Sequence, residues 1–284
     1  MKFLCLHGKG TSAQILEVQT AGFRALLPEH YEYRFFDGEE DSDSYPAISS
    51  VFPGPYFCYY KDNSMKSVKA AHEYVGEIIE DEVRFVAPYP ELFLFRYFAH
   101  WWSLGLQGAA LAASVILYHQ IEHPLALPLF RFAVFICGDL PFTRSPNLGV
   151  DVTEQYIKDG VMHGDVVNEP EQIVEMKRSA SGRSSLKLST DSGYTSDEEG
   201  ASTRTVRRFV PEIDKERIQI PTVHIYGAED IDLKKSLALT EMCDERLSEK
   251  YMHHGGHSIP RAEDVHQKIV EVVQAAAVKS ELMS

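Results

Sequence analysis

Short apolar runs alternate with amphipathic segments along this chain. Residues 3–6 form an apolar run that enters a glycine-rich loop, and apolar residues at helical spacing follow between Thr11 and Pro28. The same alternation continues downstream, so we predict strands at 3–6, 31–36, 132–136 and 222–226, and further helices at 64–80, 106–120 and 262–276. Strands that alternate with helices form a mainly parallel sheet covered on both faces, and we therefore predict a single α/β domain over residues 1–284.

Two segments depart from this pattern. Residues 178–208 are rich in Ser, Thr, Gly and charge, and we predict a disordered insertion because they carry too little apolar surface to order themselves. Residues 83–104 are atypical and dense in aromatic side chains. The apolar stretch 92–118 is long enough for a membrane span, but Arg96 and His100 interrupt it, and a buried strand followed by a buried helix is the simpler interpretation.

Composition excludes several function classes. The chain has 284 residues with a formal net charge of −14, which argues against a nucleic-acid partner and against binding to an anionic membrane. None of the four cysteines lies in a C-x-x-C pair, so we expect neither a metal site nor a redox motif, and no cofactor. A reducing, cytosolic compartment fits this cysteine usage.

Asp230 and His257 are the candidate catalytic acid and base. Asp230 follows the predicted strand 222–226, and His257 comes after two glycines further along the chain. An acid followed by a histidine is the order found in α/β-hydrolase triads. Each residue alone is also typical of an ordinary turn or loop, and Glu229 or Asp232 could take the place of Asp230.

The loop after the first strand, His7-Gly8-Lys9-Gly10, is the candidate oxyanion hole. A glycine-rich loop at this point can direct backbone amides of Lys9 or Gly10 at a developing negative charge. The alternative is a tight turn that binds nothing. Neither a G-x-G-x-x-G pattern nor a G-K-[ST] ending is present, which disfavours a dinucleotide or phosphate loop.

These motifs together resemble the fungal serine hydrolase family of α/β-hydrolases, which includes esterases and thioesterases of fungal polyketide pathways. The resemblance covers nearly the whole chain except about 83–104 and 145–215, and rests on FLCLHGKGTS (3–12), QTA (19–21), FPGPYF (52–57), QGAALAAS (107–114), FAVFICG (132–138), IPTVHIYGAED (220–230) and HGGHSIP (254–260). It implies Asp230 as the acid and His257 as the base. It also implies a small acyl or polyketide substrate, free or bound to a carrier protein.

The nucleophile is where this chain departs from the family. The family's elbow resembles Gly-Phe-Ser-Gln-Gly-Ala, and alignment on Gln107 puts Leu106, which has no nucleophilic atom, at the serine position. Ser103 lies three residues upstream and keeps the S-x-G half of the G-x-S-x-G elbow, although Trp101 occupies the first glycine position. Ser103 is therefore the candidate nucleophile.

Two hypotheses stay open from the sequence. One is an ester or thioester hydrolase in polyketide biosynthesis that uses Ser103, Asp230 and His257. The other is a catalytically impaired pseudo-hydrolase with a binding role, in which Leu106 fills the nucleophile position. The foreign segment before Gln107 is either a translated intron or misplaced splice junction, or a genuine divergent lid or acyl-binding insertion. Sequencing of the spliced transcript decides between these origins.

Overall fold

A six-stranded parallel sheet forms the centre of the computed structural model, which describes residues 1–45, 48–84, 100–104, 106–159, 161–167 and 205–283. Its order is β6-β5-β4-β3-β1-β2, and all neighbouring strands run parallel. The predicted α/β class is confirmed. The strands are β1 (Lys2–Leu6), β2 (Glu32–Phe36), β3 (His100–Leu104), β4 (Phe132–Ile136), β5 (Thr222–Gly227) and β6 (Ser248–His253).

Among the described residues, five longer helices cover the two faces of this sheet. Side chains along β1 alternate between the faces, so that Leu4 packs with α2 and α3 while Phe3 packs with α1 and α5. This alternation is the reason that β1 is apolar and buried at every position from Phe3 to Leu6. The helices are α1 (Ala13–Arg24), α2 (Met65–Arg84), α3 (Leu106–Glu122), α4 (Leu233–Glu241) and α5 (Glu263–Leu282).

Short elements lie outside the main sheet. They comprise a helical turn at Thr153–Tyr156 and three antiparallel pairs, Glu40–Asp41 with Phe57–Cys58, Val150–Asp151 with Arg207–Arg208, and Ile157–Lys158 with Val161–Met162. The predicted insertion at 178–208 therefore extends too far at its end. Val206 and Phe209 are fully buried and hold residues 205–208 in place, whereas 178–204 lie outside the described residues.

Other boundaries differ from the prediction for local reasons. Helix α1 ends at Arg24, before Leu26, and not all of its apolar residues are buried, since Val18 is 51% exposed. Strand β6 and helix α4 were not predicted. Strand β6 is a half-exposed edge strand without an apolar run, so no sequence pattern marks it. In the apolar stretch 92–118, the described residues form β3 and part of α3.

No helix in the described part of the chain has the length and apolar content needed to cross a bilayer.

The first turn of α3 lies directly against the end of β1. A Cβ on Gly108 would lie 2.5 Å from the His7 carbonyl oxygen, so this approach requires glycine. The Gln107 side chain fixes the same turn, because its Oε1 accepts the Tyr59 amide at 2.8 Å and its Nε2 donates to the Tyr60 carbonyl at 2.7 Å. Contacts with β1 and with residues 59–60 thus determine where α3 begins.

We predict that Gly108→Ala destabilises the protein by about 1–3 kcal/mol, because the added methyl group meets backbone that cannot move away easily. Gly76→Ala is the matched control, since a Cβ on Gly76 in α2 would meet no heavy atom of the described residues within 4 Å, and it should stabilise by about 0.5–1 kcal/mol. Urea unfolding of the two variants measures both changes. A Gly108→Ala protein as stable as Gly76→Ala would contradict this account of the α3 start.

Candidate active site

Asp230 and His257 form a hydrogen-bonded pair beyond the carboxyl ends of β5 and β6. The His257 Nδ1 lies 2.8 Å from Asp230 Oδ2, and the Asp230 side chain is fully buried while that of His257 is 17% exposed. The carboxylate accepts a hydrogen bond from Nδ1–H, which leaves the lone pair of a neutral imidazole on Nε2. This is the tautomer that a general base requires.

The backbone brings the Asp230 and His257 loops together. A Cβ on Gly227 would lie 2.1 Å from the Gly255 carbonyl oxygen, so the glycine that ends β5 allows the histidine loop to pass over it. The Glu229 amide then donates to the same Gly255 oxygen at 3.1 Å. The two sequence motifs are therefore parts of one local structure.

The neighbouring acids have other roles. The Asp232 amide donates to Asp230 Oδ1 at 2.8 Å, and the Asp232 carboxylate forms an ion pair with Lys235 at 2.7 Å. The Glu229 residue is exposed. Of the three acids considered from the sequence, Asp230 is the one that contacts His257.

Cys137 lies beside this pair, although it belongs to no C-x-x-C motif in the sequence. It follows β4 in the left-handed region, with φ +49°, and its sulfur lies within 4.8 Å of the nearest side-chain ligand atoms of Asp230 and His257. Burial, and next the Asp230 charge, raise the pKa of the Cys137 thiol well above its usual range. The thiol is thus protonated at neutral pH and is not an activated nucleophile.

These three side chains also form the one cluster of potential metal ligands among the described residues. The hydrogen bond between Asp230 and His257 accounts for their proximity without a metal ion.

Tyr45 is a second site residue that the sequence did not reveal. Its ring stacks on the His257 imidazole with a centroid distance of 5.3 Å and an interplanar angle of 27°. It follows an acidic, polar stretch that is typical of a surface excursion, and no periodic pattern marks it.

The strand-to-helix turn places Leu106, rather than Ser103, at the elbow. Strand β3 ends at Leu104 and α3 begins at Leu106, which is the position of the nucleophile in a strand–turn–helix elbow. Ser103 lies within β3, in register with Leu6 and Phe135 of the neighbouring strands. Because Leu6 is the last residue of β1, the Ser103 backbone is nonetheless close to the carboxyl edge of the sheet.

The loop after β1 is held in a fixed conformation by His7. This buried imidazole has its Nδ1 2.7 Å from the Gly8 carbonyl and accepts the Gly38 amide on Nε2 at 3.0 Å. Burial lowers the pKa of His7, in keeping with a neutral ring that donates from Nδ1. The Gly10 amide donates to the Phe57 carbonyl at 3.0 Å and is therefore already bonded. Of the two backbone amides predicted as oxyanion donors, the Lys9 amide remains the proposed one.

A serine and a histidine also form a hydrogen bond elsewhere in the fold, and this pair is structural. His72 Nε2 and Ser114 Oγ are 2.8 Å apart, but the Ser114 hydroxyl donates to the Phe142 carbonyl at 2.6 Å and must accept its hydrogen bond from His72. Burial, aided by the nearby Arg144 charge, lowers the pKa of His72 to about 3. A histidine that donates to the serine cannot act as its base.

We predict that His72 makes stability fall with acid. Its pKa is lower in the folded than in the unfolded chain, so the stabilisation is complete above about pH 6.5 and is lost as the pH falls towards about 3, at ~1.4 kcal/mol per pH unit. Urea unfolding between pH 7 and pH 4 should show a shallower loss of stability for His72→Gln than for the wild type. Equal slopes for the two proteins would contradict the assignment.

The fold and this site define an α/β-hydrolase. The acid follows β5, the histidine follows β6, a glycine-rich loop follows β1, and the elbow lies between β3 and α3. The chain belongs to the serine hydrolase (FSH1) family, whose model matches residues 1–89 and 105–269. The resemblance inferred from the sequence is thereby confirmed. Ser103 falls in the unmatched interval, whereas Leu106 falls inside the match.

Three relatives illustrate the range of the family. The chain is 30% identical to the esterase alnB of Emericella nidulans, over 93% of this chain and 92% of the relative. It is 27% identical to the hydrolase FUB4 of Fusarium oxysporum f. sp. lycopersici, over 92% of each chain. It is 26% identical to the dihydromonacolin L-[lovastatin nonaketide synthase] thioesterase of Aspergillus terreus, over 56% of this chain and 60% of the relative.

Proposed function

We propose that this protein hydrolyses an ester or thioester of a polyketide-type acyl group in fungal secondary metabolism. The observation that carries the proposal is the 2.8 Å hydrogen bond between Asp230 and His257, at the carboxyl edge of the sheet of a serine hydrolase family member. The names of the relatives support the substrate class, since they include esterases and a thioesterase paired with a polyketide synthase. The name of the thioesterase relative supports an acyl group carried on a synthase as one form of the substrate.

In the proposed reaction, each group performs one step of acyl transfer. His257 Nε2 takes the proton of the attacking hydroxyl, and Asp230 stabilises the imidazolium that results. The Lys9 amide and the amide after the nucleophile stabilise the tetrahedral oxyanion. The imidazolium then protonates the departing alcohol or thiol, and water, deprotonated by His257, releases the acid from the acyl-enzyme.

Ser103 is the proposed nucleophile. Its backbone lies in β3 opposite the last residue of β1, at the edge of the sheet where the glycine-rich loop begins. A second candidate function is a binding protein with impaired catalysis. It is favoured by the position of Leu106 at the strand-to-helix turn, where a leucine side chain cannot attack a carbonyl carbon.

A fluorophosphonate probe separates these functions, because it labels only a serine that a nearby base activates. For a hydrolase that uses Ser103, the wild type should be labelled, and Ser103→Ala and His257→Ala should each reduce labelling at least ~100-fold. Ser49→Ala, an exposed serine, is the control and should be labelled like the wild type. Labelling that survives Ser103→Ala would exclude Ser103.

Leu106→Ser tests the second candidate. If the folded wild type stays unlabelled while Leu106→Ser is labelled, the elbow, base and acid are intact and only the nucleophile is missing. That result would establish the impaired-hydrolase function for the natural chain. Failure of both folded proteins to react would contradict the role of His257 as a base.

A further inference from the structure

The inference concerns Tyr45 and rests on the proposed function, in which His257 is the base. Tyr45 connects two parts of the site that the chain supplies from distant positions. Its ring stacks on the His257 imidazole, and its backbone amide donates to the Gly10 carbonyl of the glycine-rich loop at 2.9 Å. No other described residue both stacks on His257 and bonds this loop.

Gly10 is adapted to this contact. Its φ is +73°, and a Cβ there would lie 2.4 Å from the Tyr45 nitrogen and 2.7 Å from the Asp43 carbonyl oxygen. Glycine is therefore needed both for the backbone conformation and for the approach of the Tyr45 segment. The Gly10 amide donates in turn to the Phe57 carbonyl, which fixes the loop from its other side.

The surroundings of Tyr45 keep its phenol neutral. Burial, followed by the negative charges of Asp232 and Asp230, raises the pKa of the Tyr45 hydroxyl. Cys137 and Asp165 are the other titratable groups near it. A neutral aromatic face against His257 attracts the imidazolium more strongly than the neutral imidazole, so the stack favours the form that exists while the proton is in transfer.

We propose that Tyr45 is a positioning residue for the base, holding the His257 ring in the plane that its hydrogen bond to Asp230 requires and stabilising the imidazolium formed during acyl transfer. This role requires the aromatic ring of Tyr45 but not its hydroxyl group. Tyr45 also links the position of the base to that of the Lys9 amide, because the same residue is bonded to the oxyanion loop.

The test compares Tyr45→Leu, which keeps apolar bulk without an aromatic ring, with Tyr45→Phe, which keeps the ring. Tyr56→Leu is the matched control, because Tyr56 lies nearby and donates its hydroxyl to the Phe52 carbonyl instead. Proton NMR follows the low-field Nδ1–H resonance of His257, assigned by its absence in His257→Ala. All variants are first compared in thermal unfolding and in the resonances of their other histidines.

We expect exchange of the Nδ1–H proton with water to become at least ~10-fold faster in Tyr45→Leu, because the imidazole loses the ring that restrains it. The His257 ring protons should also shift downfield as the ring current is removed. Tyr45→Phe and Tyr56→Leu should match the wild type. Unchanged exchange in a folded Tyr45→Leu protein would overturn the proposal.

Kinetics supply a second readout. In an active protein, Tyr45→Leu should lower kcat about 10-fold with KM within about twofold of the wild type, and Tyr45→Phe should restore kcat. An equal kcat in Tyr45→Leu would also overturn the proposal. If the protein cleaves no ester while the NMR differences are present, the proposed function fails and the positioning of His257 by Tyr45 stands.

Discussion

The hydrogen bond between Asp230 and His257 is the constraint on which the site depends. A fully buried carboxylate is stable only when its oxygens are paired, and here His257 and the Asp232 amide pair them while the Cys137 thiol lies alongside. Making this bond requires two loops from adjacent strands to meet, which the missing side chain of Gly227 allows. The bond also selects the imidazole tautomer, and so one contact determines both the local fold and the chemistry available.

The rest of the site is arranged around that pair even though the elbow carries a leucine. Gly108 still allows α3 to approach β1, and Gln107 still joins the start of α3 to residues 59–60. His7 holds the glycine-rich loop after β1, and Tyr45 connects that loop to His257. The contacts that fix the start of α3 are therefore present although position 106 carries a leucine.

Much of this arrangement could be predicted from the sequence, because the strands β1, β4 and β5 are mostly apolar and buried. β4 was predicted with its observed bounds, and β1 and β5 within one residue at an end. Asp230 and His257 could be identified because the order of acid and histidine, together with the family motifs, specifies where they must lie. Strand β6 could not, since an edge strand that is half exposed has no distinctive pattern.

The remaining features depend on contacts between distant parts of the chain. The stacking of Tyr45 on His257 joins residues more than two hundred positions apart, and the approach of Cys137 to Asp230 depends on the order of strands in the sheet. The hydrogen bond from the Gly10 amide to the Phe57 carbonyl also joins distant parts of the chain. Local propensity and spacing carry no information about such contacts, so the sequence could not show that Cys137 approaches Asp230 or that the Gly10 amide is already bonded.

The most direct test of the account is the rate of phosphonylation of Leu106→Ser compared with the double variant Leu106→Ser, Asp230→Asn. With a serine at the elbow, the reaction reports whether the acid and base act on a nucleophile at this position. The account predicts that Asp230→Asn slows phosphonylation at neutral pH by at least ~100-fold, because the imidazole loses its tautomer and its counter-charge. Equal rates for the two folded proteins would contradict it.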